Sequence, residues 1–310
     1  MNTLGDAMEA YLQLRRDLGF KLVQAERWLR AFVAFMEDRQ AEVITTELAL
    51  EWAMLPLHAQ PACWAKRLMV VRLFARYQHG SDPLTEIPPM GLIPYHPRRA
   101  HPYLYTQVEM TRLLDAAAAL PPADGLRGRT YACLLGLLAV TGLRIGEALA
   151  LTCADVDLPA GVLTIRGSKF GKSRLVPLHA STVQALLAYA CRREENVVTA
   201  ASTPFFVSGH GTPLCAATVR RTFRLLCHQV GLQATSNSDE PRLHHFRHRF
   251  ATETLLQWSR CGEEIERQLP VLSTFLGHTC LADTYWYLSA CPELMTQALA
   301  RLEQRWEAAP

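Results

Sequence analysis

Six prolines fall between Ser81 and Pro102, in SDPLTEIPPMGLIPYHPRRAHP, and they divide this chain in two. Proline has no N–H to donate and its ring crowds the preceding turn, so neither a helix nor a central strand runs through such a stretch. The segment reads as a semi-extended linker. It is also locally basic, through His96, Arg98, Arg99 and His101, which suits a linker lying along a polyanion. A chain of 310 residues is long enough for a domain on each side. The expected organisation is a helical domain over 1–88, a linker over 89–103 and a second domain over 104–310.

Ahead of the linker the chain reads as helix throughout. Met8, Tyr11, Leu12 and Leu18 recur at helical spacing, and Gly19 supplies a stop. A second helix over Val23 to Glu37 sets Trp28, Phe32 and Phe35 in one stripe. A third follows the N-cap signal Thr45-Thr46 and ends near Pro56. The fourth, Pro61 to His79, interleaves Lys66, Arg67, Arg72 and Arg76 with Trp64, Leu68, Val71 and Phe74. Such a helix can pack on one side and meet phosphates on the other; a solvated charged face is the plainer alternative.

Beyond the linker the pattern is mixed. Helices are expected over Thr106 to Ala118 and Thr130 to Val140, with a break at Thr141-Gly142 and another helix opening at Arg144. Gly161 to Arg166 and Arg174 to Leu178 alternate like the arms of a β-hairpin joined through Gly167-Ser-Lys169-Phe-Gly171-Lys172. Helices follow over Ser181 to Cys191, Ala216 to Gly231, Leu243 to Trp258, Pro270 to Leu276 and Pro292 to Trp306, with a short strand at Pro204 to Ser208. The fold class is mainly α: a helical domain, then an α+β domain with a small antiparallel sheet.

Bulk charge does not choose a partner, because 32 Lys and Arg against 29 Asp and Glu leave only +3. Any nucleic-acid surface must come from local arrangement. The nine cysteines form no CxxC pair and sit in apolar contexts, which reads as reduced thiols of a cytosolic protein and not as a zinc site. The opening residues lack the order of a signal peptide, and the longest apolar run, Tyr131 to Val140, is too short to span a bilayer.

Four separated segments carry chemistry-bearing side chains beside a structural break. They are Thr141-Gly-Leu-Arg144-Ile-Gly-Glu147, the turn with Lys169 and Lys172, His244-His245-Phe-Arg247-His248-Arg249, and the stretch with His278, Tyr285 and Tyr287. Singly each has a bland explanation: an Arg–Glu pair at a helix start, lysines solvating a turn, aromatics in a core. Together, two arginines, a lysine, histidines and a tyrosine suit phosphate chemistry. Arginine forks neutralise non-bridging oxygens, a tyrosine hydroxyl can attack, and a lysine or histidine can protonate the leaving oxygen. A metallohydrolase built on His244, His245, His248 and His278 fits less well, because the cluster lacks carboxylates and its arginines repel a dication.

The four segments, in this order, resemble the tyrosine recombinase (phage integrase) family. The matching stretches are TGLRIGEALAL at 141–151, LTIRGSKFGKSRLVPL at 163–178, HHFRHRFAT at 244–252, and LGH at 276–278 followed by Tyr287. By position the resemblance implies Arg144 and Arg247 as catalytic arginines, Lys169 as the hairpin lysine with Lys172 as runner-up, and His244 and His278 as catalytic histidines. It implies Tyr287, nine residues after His278, as nucleophile in place of Tyr285. The chain departs from the usual pattern at Gly146 and Arg249, and about eight extra residues within Ser259 to Leu269 separate the third and fourth segments. That lengthening, with LPVLSTFLGH at 269–278 and TYWYLSACPELM at 284–295, looks like a transposon-associated subset of the family.

The resemblance further implies a SAM-like core-binding domain at the N-terminus and a clamp around duplex DNA. Lys66, Arg67, Arg72, Arg98, Arg99 and Lys172 are the expected DNA contacts. It implies a 3′-phosphotyrosyl intermediate formed without ATP, metal or other cofactor, at specific recombination sites. The assembly would be a DNA-bound homo-tetramer, which other recombinases of the same element could join, in the cytoplasm at the nucleoid. Two alternatives keep the residues but change the activity: a type IB topoisomerase-like relaxation of DNA, or a non-catalytic DNA-binding accessory protein.

Overall fold

The computed structural model describes residues 3–95, 102–123, 125–168, 171–195, 203–232, 240–289, 293–296, 299 and 303. Backbone contacts divide it into two compact units, Met1–Arg99 and Ala100–Pro310, parted within the proline-dense stretch. The first unit holds α1 (Leu4–Asp17), α2 (Val23–Asp38), α3 (Thr46–Met54) and α4 (Pro61–His79). Three starts follow familiar chemistry. Thr3 and Asp6 form a capping box, Thr45 accepts from the Leu48 N–H, and Pro61 opens α4, where its missing N–H costs nothing. Leu12, Leu29, Phe32, Met36, Trp52, Val71 and Phe74 close the core of this unit. Of the expected stripe on α2 only Phe32 is fully inside, meeting Trp52 edge-on with ring centroids 5.3 Å apart.

The second unit runs α5 (Gln107–Ala118), α6 (Leu126–Thr141), α7 (Ile145–Ala150), β1 (Val156–Asp157), β2 (Val162–Ile165), β3 (Arg174–Pro177), α8 (Ala180–Glu194), α9 (Ala216–Gln229), α10 (His244–Arg260), α11 (Ile265–Leu276) and α12 (Ala282–Ser289). Helix α6 is its axis, with Tyr131, Leu134, Leu135, Leu137 and Leu138 all buried. Helix α5 lies so close that a side chain at Gly128 would run into the Ala118 carbonyl. The hairpin pairs Val162 with Pro177 and Ile165 with Arg174, and β1 adds a third antiparallel strand in the order β1-β2-β3. The structure is thus mainly helical with one small antiparallel sheet.

Three local expectations need revision. Pro204–Ser208 does not join the sheet; it makes only isolated bridges, Thr152 to Pro204 and Val207 to Pro213. Its backbone bonds go elsewhere, from the Phe205 N–H to the Leu151 carbonyl and from the Ser208 N–H to the Thr212 carbonyl, while Phe205, Phe206 and Val207 are all buried in the core around Tyr189. The residues expected as an insertion within Ser259 to Leu269 are largely helical, extending α10 to Arg260 and starting α11 at Ile265 with Pro270 inside it. The aromatic run forms a helix of its own, α12, and Tyr287 joins Leu255, Leu272, Leu276 and Leu294 in a separate apolar cluster. Most of the expected last helix, including Pro292, Leu302 and Trp306, lies outside the described residues.

Candidate active site

Arg144 is placed by a glycine turn. Helix α6 ends at Gly142, whose φ of 60° is left-handed and whose Cβ position lies 2.7 Å from the Phe250 ring, so only glycine fits. Arg144 then caps α7: its N–H donates to Glu147 Oε2 at 3.1 Å. Its guanidinium donates to Glu147 Oε1 at 2.8 Å and to the Gly277 carbonyl at 3.3 Å. Arg247, on α10, is 1% exposed and donates to the Gly142 carbonyl at 2.9 Å and the Leu276 carbonyl at 2.7 Å. Both arginines therefore grip the chain breaks on either side of them. No described carboxylate lies within ion-pair distance of Arg247, and burial brings its pKa down to about 10, still cationic at neutral pH.

Tyr287 comes to these arginines from α12. It is 3% exposed, whereas Tyr285 is 49% exposed, so the helix itself separates the two tyrosines. The Tyr287 ring lies parallel to that of His278, with centroids 6.0 Å apart, and meets His248 at 5.4 Å. Burial raises its pKa, while the Arg247 and Arg144 guanidinium groups pull the other way. His278 Nδ1 lies 2.7 Å from the Thr284 hydroxyl. His244 opens α10 and packs edge-on to His248 at 4.8 Å. Although His244 presents its edge to solvent, the atoms crowded behind it, then Arg247 and Arg144, hold its pKa near 4. Burial acts likewise on His278, to about 4, and on His248, to about 3, so these imidazoles are neutral at pH 7.

Arg144, His244, Arg247, His278 and Tyr287 are thus drawn into one neighbourhood, linked directly or through shared partners. Lys172 is exposed and reaches the His278 carbonyl at 3.4 Å; Lys169 lies outside the described residues. Sequence reasoning missed two further members. The Glu147 carboxylate, 6% exposed at its side chain, bridges Arg144 and Arg174, and Arg174 also donates to the Phe275 carbonyl at 2.8 Å. Burial opposes the charge on Glu147, but the bonds from Arg174 and Arg144 outweigh it and lower its pKa. The spacing of Glu147, three residues past the helix-capping Arg144, was the available signal. Arg174 carried none beyond opening the hairpin arm. The departure at Arg249 also has a use, since its guanidinium donates to the Tyr105 carbonyl at 2.7 Å and to Gln107 at 3.0 Å, tying α10 to the start of α5.

The expected DNA contacts fare differently. Lys66 is exposed on α4. The Arg67 guanidinium stacks 3.8 Å from the Trp52 ring and donates to the Trp52 carbonyl, and Arg72 donates to the Pro88 and Pro89 carbonyls, each at 2.6 Å. Both arginines are therefore already engaged within their own unit. Arg98 and Arg99 lie outside the described residues. Helix α9 presents a basic face that was not anticipated: Arg220, Arg221, Arg224 and His228 are exposed, and the helix has no Asp or Glu.

Residues 104–293 match the phage integrase family, a span that contains Arg144, Lys169, His244, Arg247, His278 and Tyr287. The chain belongs to that family. It is 52% identical to the putative integrase/recombinase y4rB of Sinorhizobium fredii over 311 residues, covering 99% of each chain. A second putative integrase/recombinase of that organism, y4rE, is 36% identical over 96% of this chain and 95% of its own length. Among solved structures, the Tn1549 transposon integrase in complex with transposon right end DNA aligns with a TM-score of 0.68 and 16% identity, over 96% of this chain and 98% of that one. At that identity the likeness speaks for the fold alone. Membership of the family makes this chain a tyrosine recombinase.

Proposed function

We propose that this tyrosine recombinase cleaves and rejoins DNA at specific sites with Tyr287 as its nucleophile. The observation that carries the assignment is the buried Arg247 guanidinium, which donates to two backbone carbonyls and to the Tyr287 hydroxyl, has no described carboxylate within ion-pair distance, and stands near Arg144. A buried cation left without a carboxylate is costly unless an anion arrives. A DNA phosphodiester is such an anion. Tyr287 Oη attacks phosphorus, the P–O5′ bond breaks, and a 3′-phosphotyrosyl link forms with a free 5′-hydroxyl. Arg144, Arg247 and His278 hold the non-bridging oxygens, whose charge grows toward the phosphorane. Lys169 donates the proton to the departing O5′, and neutral His244 accepts proton density from the tyrosine side. The ester energy stays in the protein–DNA link, so a partner strand's 5′-hydroxyl can reverse the step and complete recombination.

Three finer elements belong to the same proposal. The first unit and the linker, with Lys66, Arg98 and Arg99, contact the duplex, and the α9 arginines add phosphate contacts from the second unit. The reaction runs in a DNA-bound tetramer. Its setting is integration or transposition of a mobile element, consistent in fold with the Tn1549 transposon integrase. A nicked suicide substrate, which traps the intermediate by losing the 5′-hydroxyl strand, tests the chemistry. The wild-type protein should give an SDS-stable protein–DNA adduct in EDTA, and Tyr287→Phe should give none. An adduct that persists in Tyr287→Phe would move the nucleophile elsewhere. Relaxation of supercoiled plasmid irrespective of sequence, with no exchange between sites, would favour the topoisomerase-like alternative.

A further inference from the structure

We infer that Thr284 is a positioning residue that fixes His278 in the tautomer protonated on Nε2, so that the imidazole meets the phosphate as a hydrogen-bond donor. This rests on the proposed role of His278 for its catalytic meaning, but the tautomer itself follows from the side chains alone.

The backbone first makes His278 immobile. Helix α11 ends at Gly277, whose φ of 68° reverses the chain and whose Cβ position lies 2.7 Å from Arg174, so no larger residue fits. The His278 N–H then donates to the Ser273 carbonyl at 2.9 Å. With the backbone held, the ring reaches Thr284 on α12, and Nδ1 and Oγ1 stand 2.7 Å apart. Heavy-atom positions do not say which atom of that pair donates. The surroundings of Thr284 do. Thr284 is 0% exposed, and among the described residues its hydroxyl has no partner but Nδ1. A hydroxyl has one hydrogen to place. If Nδ1–H donated to Oγ1, the hydroxyl hydrogen would point into a dry interior with no acceptor, the costly arrangement for a buried donor. If Oγ1–H donates to Nδ1, both atoms are satisfied.

The consequence falls on the other nitrogen. Burial and the Arg247 and Arg144 charges keep the ring neutral at pH 7, so a lone pair on Nδ1 places the single proton on Nε2. Nε2 has no partner among the described residues and is not sealed from solvent. Phosphate oxygens only accept, so an Nε2–H strengthens with the growing charge of the phosphorane, whereas an Nε2 lone pair would oppose it. The same hydrogen bond ties His278 to α12 one turn before Tyr287, which relates the donor to the nucleophile's helix.

The test uses the full chain and two readouts. In nitrogen-15 spectra of histidine-labelled wild-type protein at pH 7, His278 should show a pyridine-like Nδ1 and a pyrrole-like Nε2; the reverse pattern overturns the inference. Single-turnover cleavage of the suicide substrate should fall at least about tenfold in Thr284→Val, short of the 10²–10³ that follows outright loss of an oxyanion donor. Thr284→Ser should restore it. In a His278→Ala background, Thr284→Val should cost nothing further, because its partner is gone. A full additional loss there means Thr284 acts by packing α12 alone, and wild-type rates in Thr284→Val also overturn the inference. If Thr284→Val fails to fold, the wild-type nitrogen signals still decide. If wild-type protein forms no adduct, the recombinase chemistry fails while the tautomer remains readable.

Discussion

The guanidinium groups of Arg144 and Arg174 share one carboxylate, that of Glu147, Arg247 has no described carboxylate within ion-pair distance, and the surrounding histidines are held neutral. Those three arginines and Glu147 alone carry a net charge of +2, and the Asp283 carboxylate stands near enough to act on His278 and Tyr287. A phosphodiester brings one negative charge, and a phosphorane carries about two. In the proposed reaction such an excess of positive charge would favour the transition state over bound substrate, which is the condition for a rate gain. Neutral histidines keep the excess from growing further, and they leave a signature in stability. His245, like His244 and His278, is held near pKa 4 by burial, and His248 near 3, against an unfolded value of about 6.5. Above pH 6.5 neither folded nor unfolded chain protonates them. As pH falls from 6.5 toward 4 the unfolded chain takes up protons that the folded one refuses, so stability is lost on acidification. Thermal melts from pH 7.5 to 4.5 should show a Tm falling across this window. His248→Leu should flatten the fall, since it deletes the most depressed of the four; an unchanged slope would place the effect in other groups. Acid loss through Glu147 sets in at lower pH, as pH falls through the ordinary carboxylate value and the unfolded chain takes up a proton that the folded carboxylate, with its lowered pKa, still refuses.

At the level of elements, most helices were legible in the sequence, α12 being the exception, and α4 begins and ends where the pattern placed it. Caps such as Thr45 and Thr106 and the apolar periodicity around Phe74 and Leu113 are local signals, and local signals survive into the fold. What was not legible depends on partners distant in the chain. Nothing near Arg174 announces that its guanidinium will clamp Glu147 and the Phe275 carbonyl, contacts that span 27 and 101 residues. Likewise Arg67 and Arg72 read as phosphate contacts because their bonds to the Trp52, Pro88 and Pro89 carbonyls exist only once the unit has folded. Helix α9 was expected as a helix without a functional role, and the fold shows Arg220, Arg221, Arg224 and His228 exposed on it. Arg220, Arg224 and His228 recur every four residues along one line. If that line follows a phosphate backbone, each arginine lost removes about 0.9 from the slope of log affinity against log salt. Replacing Arg220, Arg221 and Arg224 with glutamine should reduce the slope by about 2 to 3 on duplex DNA of any sequence. A slope equal to the wild type, measured from 50 to 300 mM salt by titration, removes α9 from the interface.

At the scale of the molecule, the question is how one active site is joined to three others in the proposed tetramer. The last residues of the chain bear on it. Leu294 is buried with Leu255, Leu272 and Tyr287, so the segment just past α12 closes its own domain's core. Leu299 is 53% exposed, and an apolar side chain left in solvent beyond a completed core is available for a neighbour. If the terminus docks on a neighbouring protomer, Leu294 would belong to the cap and residues from about 297 onward to the docking segment. Deleting residues 297–310 should leave the melting temperature within a few degrees of wild type and retain binding to a single DNA site. It should abolish the slower-migrating complex that holds two sites together. Deleting residues 293–310 instead exposes the cluster under Leu294, at a cost of about 2–5 kcal/mol for a lost leucine side chain, and should lower the melting temperature clearly. Equal destabilisation by the two deletions would make the whole terminus a cap. Unimpaired synapsis in the shorter one would require the protomers to be joined through another surface.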